Sequence, residues 1–253
     1  MARSTRTDNP PIDVLRPRSV REIVGAAVSL YASYPGLFLV LALAVTAPYE
    51  LVVLLALGSA PIGGRNGNAS TALILVLVDI SLVGPLISAL YAHAVVSIAK
   101  GERPRLLTVV QRVARVLPVV AAAQIAAGIG IGIGLLAFVI PGVLLLIRWV
   151  VVAQAAALEH PDWIGALRRS GELTRGHYLH VFGVVALTTA VNLGLSEVAG
   201  SVGGGHTSAG DVILGIAVGT IIRSFAALTT SLLYFDLLAR ERPDGWSETS
   251  VDE

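Results

Sequence analysis

Residues 116–158 read VLPVVAAAQIAAGIGIGIGLLAFVIPGVLLLIRWVVVAQAAAL, and Arg148 is the only charged residue among them. A helix that crosses a bilayer needs about 20 consecutive apolar residues, so this stretch is long enough for two such helices. A Pro-Gly pair at 141–142 interrupts it, and both residue types favour turns. The stretch therefore predicts two membrane spans, residues 116–140 and 142–158, joined by a tight turn.

The composition of the whole chain agrees with this reading. The chain has 253 residues, of which 55% are hydrophobic and 14% are charged, and its mean hydropathy is +0.77. Soluble domains carry about 25% charged residues. A net charge of +1 provides no field for polyanions, which excludes nucleic acid as a partner. The chain is predicted to be an all-α integral membrane protein.

We expect a single polytopic membrane domain over residues 19–240, with a disordered cytoplasmic N-terminus (1–18) and a cytoplasmic tail (241–253). The predicted spans follow from the apolar stretches. They cover residues 35–57, 72–99, 116–140, 142–158, 178–199 and 212–239.

The arginine and lysine residues outside the spans set the predicted orientation. Fifteen of them fall in the N-terminus, the tail and the loops on the same side, whereas Arg65 alone lies on the other side. The positive-inside rule therefore places both termini in the cytoplasm.

A single lysine against 17 arginines is typical of a GC-rich bacterial genome. The first 30 residues show no signal peptide. We expect a multi-pass protein of the bacterial inner membrane.

Amphipathic helical patterns precede each pair of spans. The first begins with a Ser19–Glu22 capping box; the second and third have apolar faces opposite arginines. Such helices suit the membrane interface. The residues assigned to the interface are Arg112, Arg115, Trp163, Arg168, Arg169 and Arg175. The pattern predicts three units, each an interfacial helix followed by a hairpin, although residue identity between the units is faint.

Six charged residues fall inside the predicted spans, where each costs about 2.5–3.5 kcal/mol on insertion scales. Five of them are candidates for ion pairs: Arg148, Arg223, Glu50, Asp79 and Glu197. The sixth, Asp236, lies close to the cytoplasmic end of the last span and is interpreted as an interface residue. Arg148 is expected to pair with Glu50 or Asp79, and Arg223 with Glu197 or Asp79. Arg148 and the three carboxylates are predicted to lie in the outer half of the bundle, and Arg223 near the middle of its span. Two interpretations stay open: an outward-facing pocket for an anionic head group or small anion, or internal ion pairs that fix helix register.

Small residues recur along the third predicted span. Gly128 and Gly132 form one row, and Gly130 and Gly134 belong to another. Small residues at a spacing of four allow close approach of membrane helices. The partner helix could belong to this chain, to a second copy in a homo-oligomer, or to another membrane protein.

The sequence contains no recognisable catalytic or metal-binding motif. Cysteine is absent, and the five histidines lack metal-site spacing. Neither a Gly-x-Ser-x-Gly elbow nor a two-metal carboxylate cluster occurs. We therefore expect no catalytic residue, no metal and no cofactor.

Several stretches together resemble the membrane domain of the glycerophosphoryl diester phosphodiesterase membrane-domain family. They are residues 19–31, 141–149 with 158–159, 166–176 with 181–183, and 233–240. The resemblance implies a membrane domain with a connection to lipids. The family takes its name from proteins in which such a domain precedes a soluble phosphodiesterase domain, whereas its free-standing members are uncharacterised bacterial membrane proteins. This chain holds neither room for that catalytic barrel nor its histidine-plus-carboxylate metal site, so the activity is not expected here.

Three functional classes remain open. The favoured class is a non-catalytic module of the bacterial envelope that binds membrane lipids or a protein partner. The second is a transporter or lipid-handling protein that uses the Arg/carboxylate pocket. The third and least favoured is a glycerophosphodiester-related enzyme.

Overall fold

The computed structural model describes residues 16–57, 71, 75, 78–100, 106–159, 162–202 and 209–241. Within this part of the chain every regular element is helical. The helices are α1 (Val20–Ser33), α2 (Pro35–Leu57), a π-helical segment (Asp79–Val83) that continues into α3 (Gly84–Ala99), α4 (Leu106–Ala137), α5 (Val139–Arg148), α6 (Val152–Leu158), α7 (Trp163–Leu173), α8 (Tyr178–Val202) and α9 (Ala209–Glu241).

Five helical segments are long and apolar enough to cross a membrane: Pro35–Val53, Thr108–Ala137, Val139–Leu158, Tyr178–Glu197 and Ile216–Glu241. The second predicted span, residues 72–99, is represented by the π-helical segment and α3. Of these, Gly84–Ala99 is apolar but too short to cross by itself. The beginning of this predicted span falls largely outside the described residues, as do residues 1–15 and 242–253 of the predicted termini.

The helix α1 begins where the sequence predicts. The Ser19 side chain accepts a hydrogen bond from the Glu22 backbone, and the Glu22 carboxylate accepts one from the Ser19 backbone N–H at 2.7 Å. This confirms the capping box. The backbone and hydroxyl of Ser19 both donate to the carboxylate, and this lowers the pKa of Glu22. One face of α1 buries Ile23, Ala27 and Leu30.

The second predicted interfacial stretch and the third predicted span form one helix. α4 has 32 residues, about 48 Å at 1.5 Å per residue. Pro118 lies within it. The chain reverses at Phe138, whose φ of −161° and ψ of 144° end helical geometry. The predicted turn at 141–142 is thus displaced by three residues, because Pro141 fits the first turn of α5, where its missing N–H has no helical partner.

Glycines allow α5 to fold back closely on α4. A Cβ at Gly134 would lie 3.0 Å from Gly142 Cα, and a Cβ at Gly130 would lie 2.5 Å from the Trp149 ring. Gly128 and Gly132 have no such neighbour within 4 Å. Gly130 and Gly134 therefore pack within this chain, whereas the other two face away from this contact.

The last helix, α9, forms the centre of the bundle. It packs against α1, α2, α3 and α8, and it buries Leu228, Leu232, Leu233, Tyr234 and Leu237 completely or almost completely.

Candidate functional site

The fourth predicted span is two helices with a break at residues 149–151. α5 ends at Arg148 and α6 begins at Val152. The ten residues of α5 extend about 15 Å, which is half of the roughly 30 Å hydrocarbon thickness. The helix break leaves the Arg148 carbonyl without a helical partner, and α7 satisfies it: the Ser170 hydroxyl donates to it at 2.9 Å.

A glycine of α7 accommodates the Arg148 side chain. A Cβ at Gly171 would lie 2.7 Å from Arg148 Nε and 3.3 Å from Cζ. The guanidinium therefore lies close to the α7 backbone at Gly171, and a larger residue there would require the arginine side chain to move. α7 thus contacts both the carbonyl and the side chain of Arg148.

A cavity of about 420 Å³ opens beside this arginine. Its lining residues come from the end of α5, from α7 and from the start of α8: Arg148, Arg168, Gly171, Glu172, Arg175 and Tyr178. The lining carries three guanidinium groups and one carboxylate. Glu172 accepts from Arg168 at 2.9 Å. Among the described residues no carboxylate pairs with Arg148 or Arg175, so the cavity has an excess of positive charge.

Apolar surface lies beside the charged cavity. Tyr178, which lines it, is the first residue of α8, and a helix N-terminus carries partial positive charge. The next residue, Leu179, is 88% exposed, and Leu144 on α5 is 50% exposed. The site thus combines cationic groups with apolar helix faces of two candidate spans.

The structure separates the two intramembrane arginines that the sequence analysis placed together. Arg148 lies with Arg168 and Arg175, and not with the predicted partners Glu50 or Asp79; this prediction was wrong. The reason is the helix break, which turns the end of α5 toward α7. Among the described residues, Arg148 and Arg223 do not share a pocket.

Arg223 pairs with two carboxylates. Its Nη1 lies 3.2 Å from Asp79 Oδ1, as expected, and its Nη2 lies 3.3 Å from Glu50 Oε1. The Tyr49 ring faces the same guanidinium, with 5.6 Å from Cζ to the ring centroid. The other expected partner, Glu197, is exposed and forms no ion pair among the described residues. We call Arg223, Glu50 and Asp79 the Arg223 cluster.

A second ionic network is centred on Arg169 of α7. Arg169 donates to Glu159 at 2.6 Å and to both carboxylate oxygens of Glu241 at 2.6 and 2.7 Å. These bonds raise the pKa of Arg169. The buried Tyr234 hydroxyl also donates to Glu159. Arg169 was predicted to lie at the membrane interface, but its partners come from α9 and the α6–α7 loop, which sequence spacing does not reveal.

The remaining interface residues are exposed: Arg112 and Arg115 on α4, and Trp163 on α7. The apolar face of α7, with Ala166 and Leu173 buried, packs against other helices, mainly α6. Protein contacts therefore account for this face, which the sequence analysis assigned to the membrane.

Asp236 was interpreted as an interface residue but is completely buried. Its carboxylate accepts from the Arg18 backbone N–H at 2.5 Å and from Arg240 Nε at 2.9 Å, and it lies 2.9 Å from His180 Nε2. Arg18, which falls in the predicted disordered segment, is held here. In the sequence, the i, i+4 spacing of Asp236 and Arg240 could have indicated that these two residues form an ion pair.

Among the described residues, no group of three or more His, Cys, Asp or Glu side chains could hold a metal ion. The chain matches no known family profile, and comparison with curated proteins and with solved structures also finds no match.

Proposed function

We propose that the protein is a non-catalytic, multi-pass protein of the bacterial inner membrane that binds the head group of an anionic phospholipid in the cavity around Arg148. The observation that carries this proposal is the pair Arg148 and Arg175. Both lack a carboxylate partner among the described residues, and both line one cavity of about 420 Å³.

The chemistry of the cavity fits a phosphate group. Guanidinium groups bind phosphate oxygens by paired, charge-assisted hydrogen bonds. The excess positive charge of the lining is removed when a phosphate enters, so binding lowers the electrostatic energy of the site. The exposed Leu144 and Leu179 give the acyl chains an apolar surface beside the head group.

The proposed orientation supports the same reading. The positive-inside bias places α7 and both chain termini on the cytoplasmic side. The cytoplasmic leaflet is the one that carries anionic lipids in excess in many membranes, and its surface potential attracts arginine clusters. A cavity lined by Arg168 and Arg175 would then open toward that leaflet.

The proposed family relationship supports a connection with lipids. Of the stretches that resemble the glycerophosphoryl diester phosphodiesterase membrane domain, residues 141–149 supply Arg148, and residues 166–176 supply four further lining residues. Two stretches that are separate in sequence thus meet at one cavity. We do not extend the proposal to phosphodiester hydrolysis.

Native mass spectrometry of the protein released from nanodiscs tests the proposal. Nanodiscs contain a zwitterionic phospholipid with or without phosphatidylglycerol. Wild type should retain the anionic lipid preferentially. Loss of one charged hydrogen-bonding partner costs about 1.5–3 kcal/mol, so Arg148→Gln and Arg175→Gln should each weaken retention roughly 10- to 150-fold.

Arg115→Gln is the matched control, because it removes an exposed arginine that does not line the cavity. It should retain the lipid as wild type does. Equal retention by all four proteins, or no preference of wild type for the anionic lipid, would contradict the proposal.

A second candidate function is lipid handling, which the helix break at residues 149–151 favours. Transporters often bind their substrates where membrane helices are interrupted. In this case, proteoliposomes should move a fluorescent phospholipid between leaflets, and Arg148→Gln should abolish the movement. Retention of lipid without any movement would leave binding as the function.

A further inference from the structure

The Arg223 cluster has one more carboxylate than guanidinium groups. Glu50 on α2 and Asp79 in the π-helical segment both lie within 3.3 Å of Arg223 on α9. With all three groups ionised, the cluster carries a net charge of −1, and two of its three members lie in candidate membrane-spanning helices.

The buried carboxylate of this cluster is incompletely satisfied. The Glu50 side chain is 10% exposed, and its Oε2 atom has no hydrogen-bond partner among the described residues. Asp79 Oδ1 and Arg223 Nη1 also lack a well-aligned hydrogen bond although they lie 3.2 Å apart. The single guanidinium therefore does not saturate the two carboxylates.

The charged and titratable groups that face Glu50 are few. They are Arg223 from α9 and Asp79 from the π-helical segment, with Tyr49 of α2 lying beside the guanidinium. Among the described residues no further cation offsets the second carboxylate. Two close carboxylates in a site of low polarity do not both ionise readily, and an unpaired buried charge is removed most simply by a proton.

Both helices are irregular where they contribute their carboxylates. Pro48 lies inside α2 two residues before Glu50, and a proline in a helix removes one backbone hydrogen bond. Asp79 begins the π-helical segment, and such segments occur frequently at functional sites. Both carboxylates that contact Arg223 therefore lie at or beside irregular points of their helices.

We propose that Glu50 and Asp79 together hold one exchangeable proton, so that the Arg223 cluster is a proton-binding site within the membrane domain. With the proton bound, one carboxylic acid, one carboxylate and one guanidinium give a net charge of zero. Release of the proton to water restores the charge of −1. This site is independent of the cavity around Arg148.

Infrared difference spectroscopy of the protein in nanodiscs tests this proposal. A protonated carboxyl group has a C=O stretch that a carboxylate lacks. Wild type at neutral pH should show this band, which should shift in heavy water and disappear at high pH. Glu50→Gln and Asp79→Asn should each abolish the neutral-pH band, since one carboxylate then balances Arg223. Glu197→Gln, which removes a carboxylate outside the cluster, should retain it.

The variant Arg223→Gln provides a second test of the proton-binding proposal. Without the guanidinium both carboxylates need a proton, so the band should grow about twofold. The elution volume and helical circular dichroism of each variant establish that it is folded. Absence of the band in wild type, or its persistence in folded Glu50→Gln and Asp79→Asn, would overturn the proposal. So would loss of the band at constant pH when sodium replaces choline, because the ligand would then be a metal cation.

Discussion

A methyl group added at Gly142 should destabilise the protein, because α5 packs there directly on α4. An added Cβ would lie 2.5 Å from Cγ and Cδ2 of Leu135 and 2.6 Å from the Leu135 backbone nitrogen. Carbon atoms in contact prefer about 3.5–4.0 Å, so the two helices must separate by about 1 Å. A backbone atom cannot rotate out of the way as a side chain can.

The magnitude follows from two opposing effects. Overpacking costs about 1–3 kcal/mol, and we expect the upper end at a backbone contact. Replacing glycine by alanine inside a helix stabilises it by about 1 kcal/mol. Gly142→Ala should therefore lower the free energy of unfolding by about 2 kcal/mol. Gly132→Ala is the matched control, since a Cβ there meets nothing within 4 Å; it should be neutral or stabilising by up to about 1 kcal/mol.

Unfolding in mixed micelles of mild detergent and dodecyl sulfate measures both effects through tryptophan fluorescence. The order of stability should be Gly132→Ala, then wild type, then Gly142→Ala. The packing of α5 on α4 would be refuted if Gly142→Ala were as stable as Gly132→Ala.

Two further predictions concern the ionic contacts. Arg169→Ala should lower the free energy of unfolding by about 1–3 kcal/mol, which is less than for a fully buried pair because Glu241 is partly exposed. Arg168→Ala removes an exposed ion pair and should change the free energy of unfolding by under about 1 kcal/mol. Equal effects of the two substitutions in thermal melts would contradict the prediction for Arg169. The lowered pKa of Glu22 means that its capping contribution is complete above the ordinary carboxyl pKa and is lost as the pH falls through the folded-state value. Hydrogen exchange, corrected for intrinsic rates, should show the first turn of α1 opening over that range in wild type but not in Glu22→Gln; an identical pH dependence in both would remove Glu22 as the cause.

The sequence was sufficient to predict those structural features that depend on a single segment of the chain. The Ser19–Glu22 pair predicts the start of α1, and the lengths of the apolar stretches predict helices that could cross a membrane. The pairing of Arg223 with Asp79 was also accessible, because so few opposite charges are present in the spans.

The break between α5 and α6 was not predictable from hydropathy, since residues 139–158 are apolar on both sides of Arg148. It depends on a tertiary contact. Ser170 of α7 and Thr174, the residue that follows α7, donate to the Arg148 carbonyl and so replace a helical hydrogen bond. The displacement of Arg148 toward α7 follows from this break, and with it the composition of the cavity. Pairings such as Arg169 with Glu241 join residues 72 positions apart, for which periodicity gives no signal.

Photo-crosslinking tests the central claim of lipid binding most directly. A phosphatidylglycerol analogue with a diazirine on its head group is incorporated into nanodiscs with the wild-type protein and irradiated, and the labelled peptides are identified by mass spectrometry. We predict that the label concentrates between Gly171 and Tyr178 and falls about tenfold or more in Arg148→Gln. Label distributed evenly over the helices, or unchanged in folded Arg148→Gln, would show that the cavity does not hold the lipid head group.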